Sequence, residues 1–185
     1  MRRTRAVTAV MIALLVSAAG SRFAWPARVW AGQSFSISSS AFTLGGAIPV
    51  EFSCKGADRS PELAIGGVPK GAESLALIVE DPDAPRGLFT HWVLYDLPTT
   101  VSRLPAGIAK TPTTSQGALQ GRNTYGRTGY DGPCPPSGPA HHYHFRLFAL
   151  DSRVNLPPGA SASELRRAMT GHVLAQTELM GTFAR

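Results

Sequence analysis

The sequence predicts a mainly β domain, and three observations carry that prediction. The runs LALIVE (75–80), FTHWVLYDLP (89–98) and HHYHFRLFAL (141–150) are continuously apolar or alternate at strand length. The segments between them are punctuated by turn formers, with 19 Gly and 15 Pro in the chain, so helical periodicity finds little room. The one strong helix-opening signal, Ser161 with Glu164, lies near the C-terminus. A content of 43% hydrophobic and 16% charged residues suits one globular core.

Residues 1–31 are set apart from that domain. Arg2, Arg3 and Arg5 precede an uncharged stretch from Ala6 to Ser21 that is apolar through AVMIALLV, the layout of a secretory signal peptide. The stretch is shorter than the ~18–20 apolar residues of a spanning helix, so cleavage is expected and the mature form has no transmembrane segment. Small residues allow cleavage after Ala31 or after Ala19, and no cysteine follows the apolar stretch to carry a lipid. The Arg2-Arg3 pair lacks most of the surrounding twin-arginine pattern. The expected location is periplasmic or secreted. Removing residues 1–31 takes away five arginines and no acid, which lowers the net charge from +6 to +1. No electrostatic case for nucleic acid remains.

In the domain of residues 32–185, QSFSISSSAF sets Phe35 and Ile37 on the dry face of a first strand. Gly45, Gly46 and Pro49 break the chain before a second short strand over residues 50–52, and a polar turn runs from Lys55 to Glu62. LALIVE reads as a strand buried on both faces near the middle of a sheet. It delivers Asp81-Pro82-Asp83-Ala84-Pro85, either a turn with solvated acids or a pair of functional carboxylates. In the next strand, strict alternation puts His91, Val93, Tyr95 and Leu97 on one face, and Trp92, Leu94 and Asp96 on the other. A lone histidine there is ordinarily a hydrogen-bonded core residue. The recurrence of polar groups at strand ends argues for function.

Residues 99–136 form a long irregular stretch in which GRNTYG (121–126) alone looks specifically ordered. It ends in Gly132-Pro133-Cys134-Pro135-Pro136, a stiff loop with unpaired amides and so a candidate anion cradle. The following strand sets His141, Tyr143, Phe145 and Leu147 on a face that runs from polar to apolar, with His142, His144 and Arg146 on the solvated side. Ser161 and Glu164 open a helix bearing Leu165, Ala168 and Met169, with Gly171 as its stop. A second short helix is expected through Val173, Leu174 and Leu179. In an oxidising compartment Cys54 and Cys134 are read as a structural disulfide, with two separate buried thiols or a histidine-paired thiol as the alternatives.

Taken in order, Cys54-x-Gly56, Ser60-Pro61-x-Leu63, Asp81-Pro82-Asp83-Ala84-Pro85, His91-Trp92, Gly121-Arg122-Asn123, Gly132-Pro133-Cys134-Pro135-Pro136 and His141-x-Tyr143 resemble the phosphatidylethanolamine-binding protein family, in its bacterial Raf kinase inhibitor-like branch. The resemblance spans the chain from about Ser34 to the C-terminus. It implies two antiparallel sheets with Greek-key connections, C-terminal helices and a small pocket for phosphate-like anions, with no cofactor and no metal. Carried over by motif, the ligand-binding residues would be Asp81, Asp83, Pro85, His91, Gly132, Pro136, His141 and Tyr143. Two departures stand out. His142 occupies a position commonly Arg, and the region of Ile65 lacks a common Trp.

Such a pocket has the donors a phosphate needs in Tyr143, the histidine rings and loop amides, with Asp81 expected to hold and charge a histidine. The sequence contains neither a glycine-flanked serine elbow nor HExxH. His142 and His144 make a His-x-His pair, but on the face opposite His141 and Tyr143. The leading expectation is therefore a non-enzymatic binding protein for a small anionic ligand, a phosphate or a phospholipid head group. The alternatives are an inhibitor of a protein target, a kinase or a protease, and a metal-dependent hydrolase.

Overall fold

The computed structural model describes residues 34–185. The expected signal peptide and both cleavage positions lie outside the described residues. Eight strands follow in chain order: β1 (Ser36–Ser38), β2 (Leu63–Gly66), β3 (Ser74–Asp81), β4 (Phe89–Pro98), β5 (Arg103–Leu104), β6 (Leu119–Gln120), β7 (His141–Leu150) and β8 (Val173–Phe183). One helix, α1 (Ala162–Met169), precedes β8. Strands β1, β2 and β5 form a small antiparallel sheet, and the larger sheet runs β6-β4-β3-β7-β8. Within the larger sheet β7 returns by a long connection to lie beside β3, which is the Greek-key order. Among the described residues no helix is long and apolar enough to cross a membrane.

Strand β3 is buried at every position because it lies mid-sheet between β4 and β7 and has a layer on each face. On one face Leu75, Leu77 and Val79 join Trp92, Leu94, Phe145 and Leu147 against Ile37, Leu63, Ile65 and Leu104 of the small sheet. On the other, Ala76 and Ile78 meet Val93, Tyr95, Leu165 and Met169. Each large side chain fully buried in this way contributes roughly 1.5–3 kcal/mol. The capping box of α1 forms as expected, with Ser161 Oγ accepting from Glu164 N and Glu164 Oε2 accepting from Ser161 N.

Two expected elements are corrected. Residues Val50–Phe52 form a single 3-10 turn after Pro49, with Phe52 N and Ser53 N donating to the Pro49 and Val50 carbonyls, so no strand forms there. The expected second C-terminal helix is strand β8. Its inward positions alternate through Ala175, Thr177, Leu179 and Gly181, and it pairs with β7 along its length. Only a strand places every second residue on one face. Gly181 must stay small, because a Cβ there would lie 2.6 Å from Ile48 Cγ1. The outer edge of β8 is capped by residues 45–48 through Gly45 N to Met180 O and Ile48 N to Thr182 O.

Strand β4 also departs from strict alternation. Its register against β3 passes from Glu80↔Thr90 to Val79↔Trp92 and from Leu77↔Leu94 to Leu75↔Leu97, so His91 and the Tyr95–Asp96 region each carry an extra residue. Asp96 takes a left-handed backbone, φ 52°, at the second bulge. Leu97 thus joins the core face of Leu94 rather than that of Tyr95. His91 is likewise turned away from Val93 and stacks edge-on against Tyr143, ring centroids 5.2 Å apart. A bulge re-aims a side chain in this way at the cost of one ladder pairing.

Candidate functional site

At the end of the larger sheet where β3 finishes and β4 and β7 begin, a pocket of about 260 Å³ opens between the 81–86 loop and the Pro/Gly loop. Asp81, Pro85, His91, Pro136 and His141 line it, five of the eight residues expected from sequence. Asp83, Gly132 and Tyr143 are not in its wall. Each has a role just outside it.

Asp81 is buried and uses both carboxylate oxygens. Oδ1 accepts from Asp83 N at 2.8 Å, closing the turn, while Oδ2 pairs with His141 Nδ1 at 2.7 Å. A carboxylate accepts, so His141 Nδ1 carries the proton. His141 Nε2 makes no hydrogen bond among the described residues and opens to the pocket. Asp83 is solvent-exposed, and its Oδ2 accepts from both His142 N at 2.8 Å and His142 Nδ1 at 2.7 Å. Those two bonds hold its carboxyl below the ordinary value. They clamp the 81–86 loop to the start of β7, so His142 bonds to the loop from the outer side of the strand.

His91 is 3% exposed and its Nδ1 donates to the Asp131 carbonyl at 2.7 Å. Burial lowers its basicity more than the neighbouring carboxylates raise it. The Asp131 backbone is itself braced. The Asp131 carboxylate accepts from Lys110 Nζ, Arg127 Nε and Asn123 Nδ2, and Lys110 also reaches Asp58. Asp58 Oδ1 in turn accepts from Gly132 N at 2.7 Å. Gly132 is needed because a Cβ there would fall 2.1 Å from the Phe52 carbonyl oxygen, so the Pro/Gly loop lies directly on the 50s loop. Its amide is therefore already engaged.

The same two loops are joined by a disulfide between Cys54 and Cys134, Cα atoms 5.4 Å apart, which settles the reading left open by the sequence. Cys54 N to Pro133 O and Tyr130 Oη to Phe52 O reinforce it. Cys134 and Pro135 become part of the pocket wall. Tyr143 lies behind the pocket against His91. Burial, and then the Asp81 carboxylate, push its phenol well above the ordinary value, so it is a neutral O–H. That Oη is buried and makes no hydrogen bond of good geometry among the described residues, with the Asp81 carboxylate as its polar neighbour.

Sequence reasoning missed Ala84, Arg86, Phe89 and Tyr125 in the wall. Arg86 follows the carboxylate motif directly, and Tyr125 sits in the one part of the long loop that looked ordered. Phe89 is brought in by its pairing opposite Asp81, which the sequence does not signal. Phe89 stacks on both His91 and Tyr125, and Arg127 lies over the Tyr125 ring. The expected His-x-His pair is taken up elsewhere: His142 bonds Asp83, and His144 bonds Glu178 at 2.9 Å.

Comparison with known proteins places this arrangement. Residues 38–184 match the family model for phosphatidylethanolamine-binding protein. A UPF0098 protein of Pyrococcus horikoshii is 47% identical over 150 residues, covering 80% of this chain and 75% of that protein. A UPF0098 protein of Aquifex aeolicus is 44% identical over 156 residues, 83% of this chain and 91% of that one. The crystal structure of a phosphatidylethanolamine-binding protein homolog from Chlamydia trachomatis matches with a TM-score of 0.76 at 42% identity, covering 82% of this chain and 97% of that one. Escherichia coli YbcL, presented as a new member of the mammalian PEBP family, matches with a TM-score of 0.76 at 31% identity over 82% of this chain and 98% of that one.

Proposed function

The chain belongs to the phosphatidylethanolamine-binding protein family, and from that premise we propose that it is a non-enzymatic binding protein of the cell envelope whose pocket holds a phosphate-like anion or a phospholipid head group. The observation that carries the reading is a pocket that brings the Arg86 guanidinium together with two histidines, His91 and His141, each held through Nδ1 so that its Nε2 is left for a ligand. Arg86 at the wall supplies positive charge for an anion, while Asp81 keeps His141 in one tautomer with Nε2 facing inward. The envelope location rests on the leader of residues 1–31 and agrees with a disulfide-bonded domain. A nucleophilic mechanism finds little support in the wall, where Cys134 is held in the disulfide and the one hydroxyl is the phenol of Tyr125.

The test is Arg86→Gln, titrated calorimetrically with inorganic phosphate and with phosphoethanolamine. Arg86 is an exposed loop residue, so the ligand-free protein is expected to melt at the same temperature. Anion affinity is expected to fall by about 10-fold or more, the worth of one hydrogen bond to a charged group. An affinity unchanged by the substitution defeats the assignment.

A further inference from the structure

We propose that the pocket selects anions that carry their own proton, hydrogen phosphate above all, over sulfate and other fully deprotonated oxyanions, because His91 faces the ligand as a hydrogen-bond acceptor. The inference rests on the binding function above and, of the two ligand classes named there, favours free hydrogen phosphate over the proton-less phosphodiester of a phospholipid head group. A backbone carbonyl can only accept, so the 2.7 Å contact between His91 Nδ1 and the Asp131 carbonyl requires the proton on Nδ1. In the neutral ring this leaves a lone pair on Nε2. That atom has no partner among the described residues and meets the pocket, while the residue as a whole is 3% exposed.

Several features keep the ring in that state. The Asp131 carbonyl is held in place by the three donors on its own carboxylate, Lys110, Arg127 and Asn123. Phe89 and Tyr143 pack their rings against the imidazole, 4.9 and 5.2 Å between centroids, and exclude the water that would solvate an imidazolium. The charged and titratable groups acting on it are Asp81 at the end of β3, His141 and Tyr143 on β7, Arg86 and Tyr125 in the facing loops, and Asp131 and Asp58 behind. Burial outweighs the carboxylates among them, and the ring's basicity is lowered.

The consequence for a ligand is geometric. An oxyanion with no proton brings only acceptors, and against the Nε2 lone pair, with the Asp81 carboxylate also in the wall, it meets acceptors facing acceptors. Hydrogen phosphate turns its P–OH toward Nε2 and its remaining oxygens toward Arg86. A site built to pair one donor rejects the analogue that lacks it. Sulfate has nearly the size and shape of phosphate and differs chiefly in carrying no proton at neutral pH.

The experiment titrates the purified protein at pH 7.5 with inorganic phosphate, sulfate and dimethyl phosphate, the last a monoanion without a proton. Phosphate is expected to bind at least ~10-fold more tightly than either of the others. In the phosphate complex, the ¹⁵N resonance of His91 Nε2 is expected to stay that of an unprotonated ring nitrogen. His91→Gln can donate its amide to the Asp131 carbonyl and keep an oxygen acceptor toward the pocket, so it is expected to retain the preference; His91→Phe is expected to lose it. Equal affinity for phosphate and sulfate, or an Nε2 protonated in the complex, overturns the inference and leaves the anion-binding function standing. Binding of none of the three overturns both, whether or not either variant folds.

Discussion

Replacing Cys54 and Cys134 together by serine separates what the disulfide does for the fold from what it does for the pocket. The bond closes a loop with a sequence separation of 80, and the chain-entropy relation gives about 4.5 kcal/mol for that length. The expected loss of unfolding free energy is ~2–4.5 kcal/mol, which in a domain of this size lowers the melting temperature by roughly 4–18 °C. The pocket wall should survive, because three hydrogen bonds still tie the Pro/Gly loop to the 50s loop: Cys54 N to Pro133 O, Tyr130 Oη to Phe52 O and Gly132 N to Asp58 Oδ1. Two of them are backbone amides that hydrogen exchange can follow. The assay is urea unfolding of the wild type and the double variant, followed by exchange at residues 54 and 132 under native conditions. A stability loss below ~1 kcal/mol would contradict the disulfide's role in the fold, and loss of protection at both amides while β3 and β7 stay protected would contradict the survival of the pocket wall.

Three further outcomes follow from the site. Asp81→Ala releases His141 Nδ1 and opens the turn at Asp83, so phosphate affinity measured by calorimetry should fall by about 1–3 kcal/mol in a variant whose circular dichroism is unchanged; wild-type affinity would remove Asp81 from the binding account. Gly132→Ala drives a Cβ to within 2.1 Å of the Phe52 oxygen and should cost ~1–3 kcal/mol in thermal unfolding, whereas a neutral result would mean the two loops do not lie against each other. His91 is held below its ordinary 6.5, so the unfolded chain binds the proton first; stability is fully present above that pH and declines below it. Urea unfolding at pH 7.5 and 5.5 should show a smaller decline in His91→Gln than in the wild type, and equal declines would count against a neutral buried ring.

The strands were legible wherever one residue's neighbours decide its burial. Strand β3 reads as buried because its run is apolar without a break, and β7 because its two faces differ from His141 to Leu147. Strand β8 carries a weak strand signal because Val173 and Leu174 are adjacent apolar residues, both exposed in the fold, whereas among its inward positions Ala175, Thr177, Leu179 and Gly181 only Leu179 is strongly apolar. The two β4 bulges escaped for a different reason: a register shift is a property of a pair of strands, and β3 shows no sign of it alone. The bulge at His91 matters most, since strict alternation sends that ring away from Tyr143. Motif order found five residues of the pocket wall, but not that Asp83 works as a clamp or that the Gly132 amide is spent on Asp58. Those roles depend on His142 and on a residue 74 positions away.

The most direct test of the anion pocket is to titrate the uniformly ¹⁵N-labelled protein with inorganic phosphate and follow the histidine ring resonances, with His141→Ala as the control. Saturable shifts are expected at His91 and His141 with one common dissociation constant, and the loss or marked weakening of that saturation in His141→Ala. Ring resonances that stay still through millimolar phosphate, or that move equally at the surface residues His144 and His172, would contradict it.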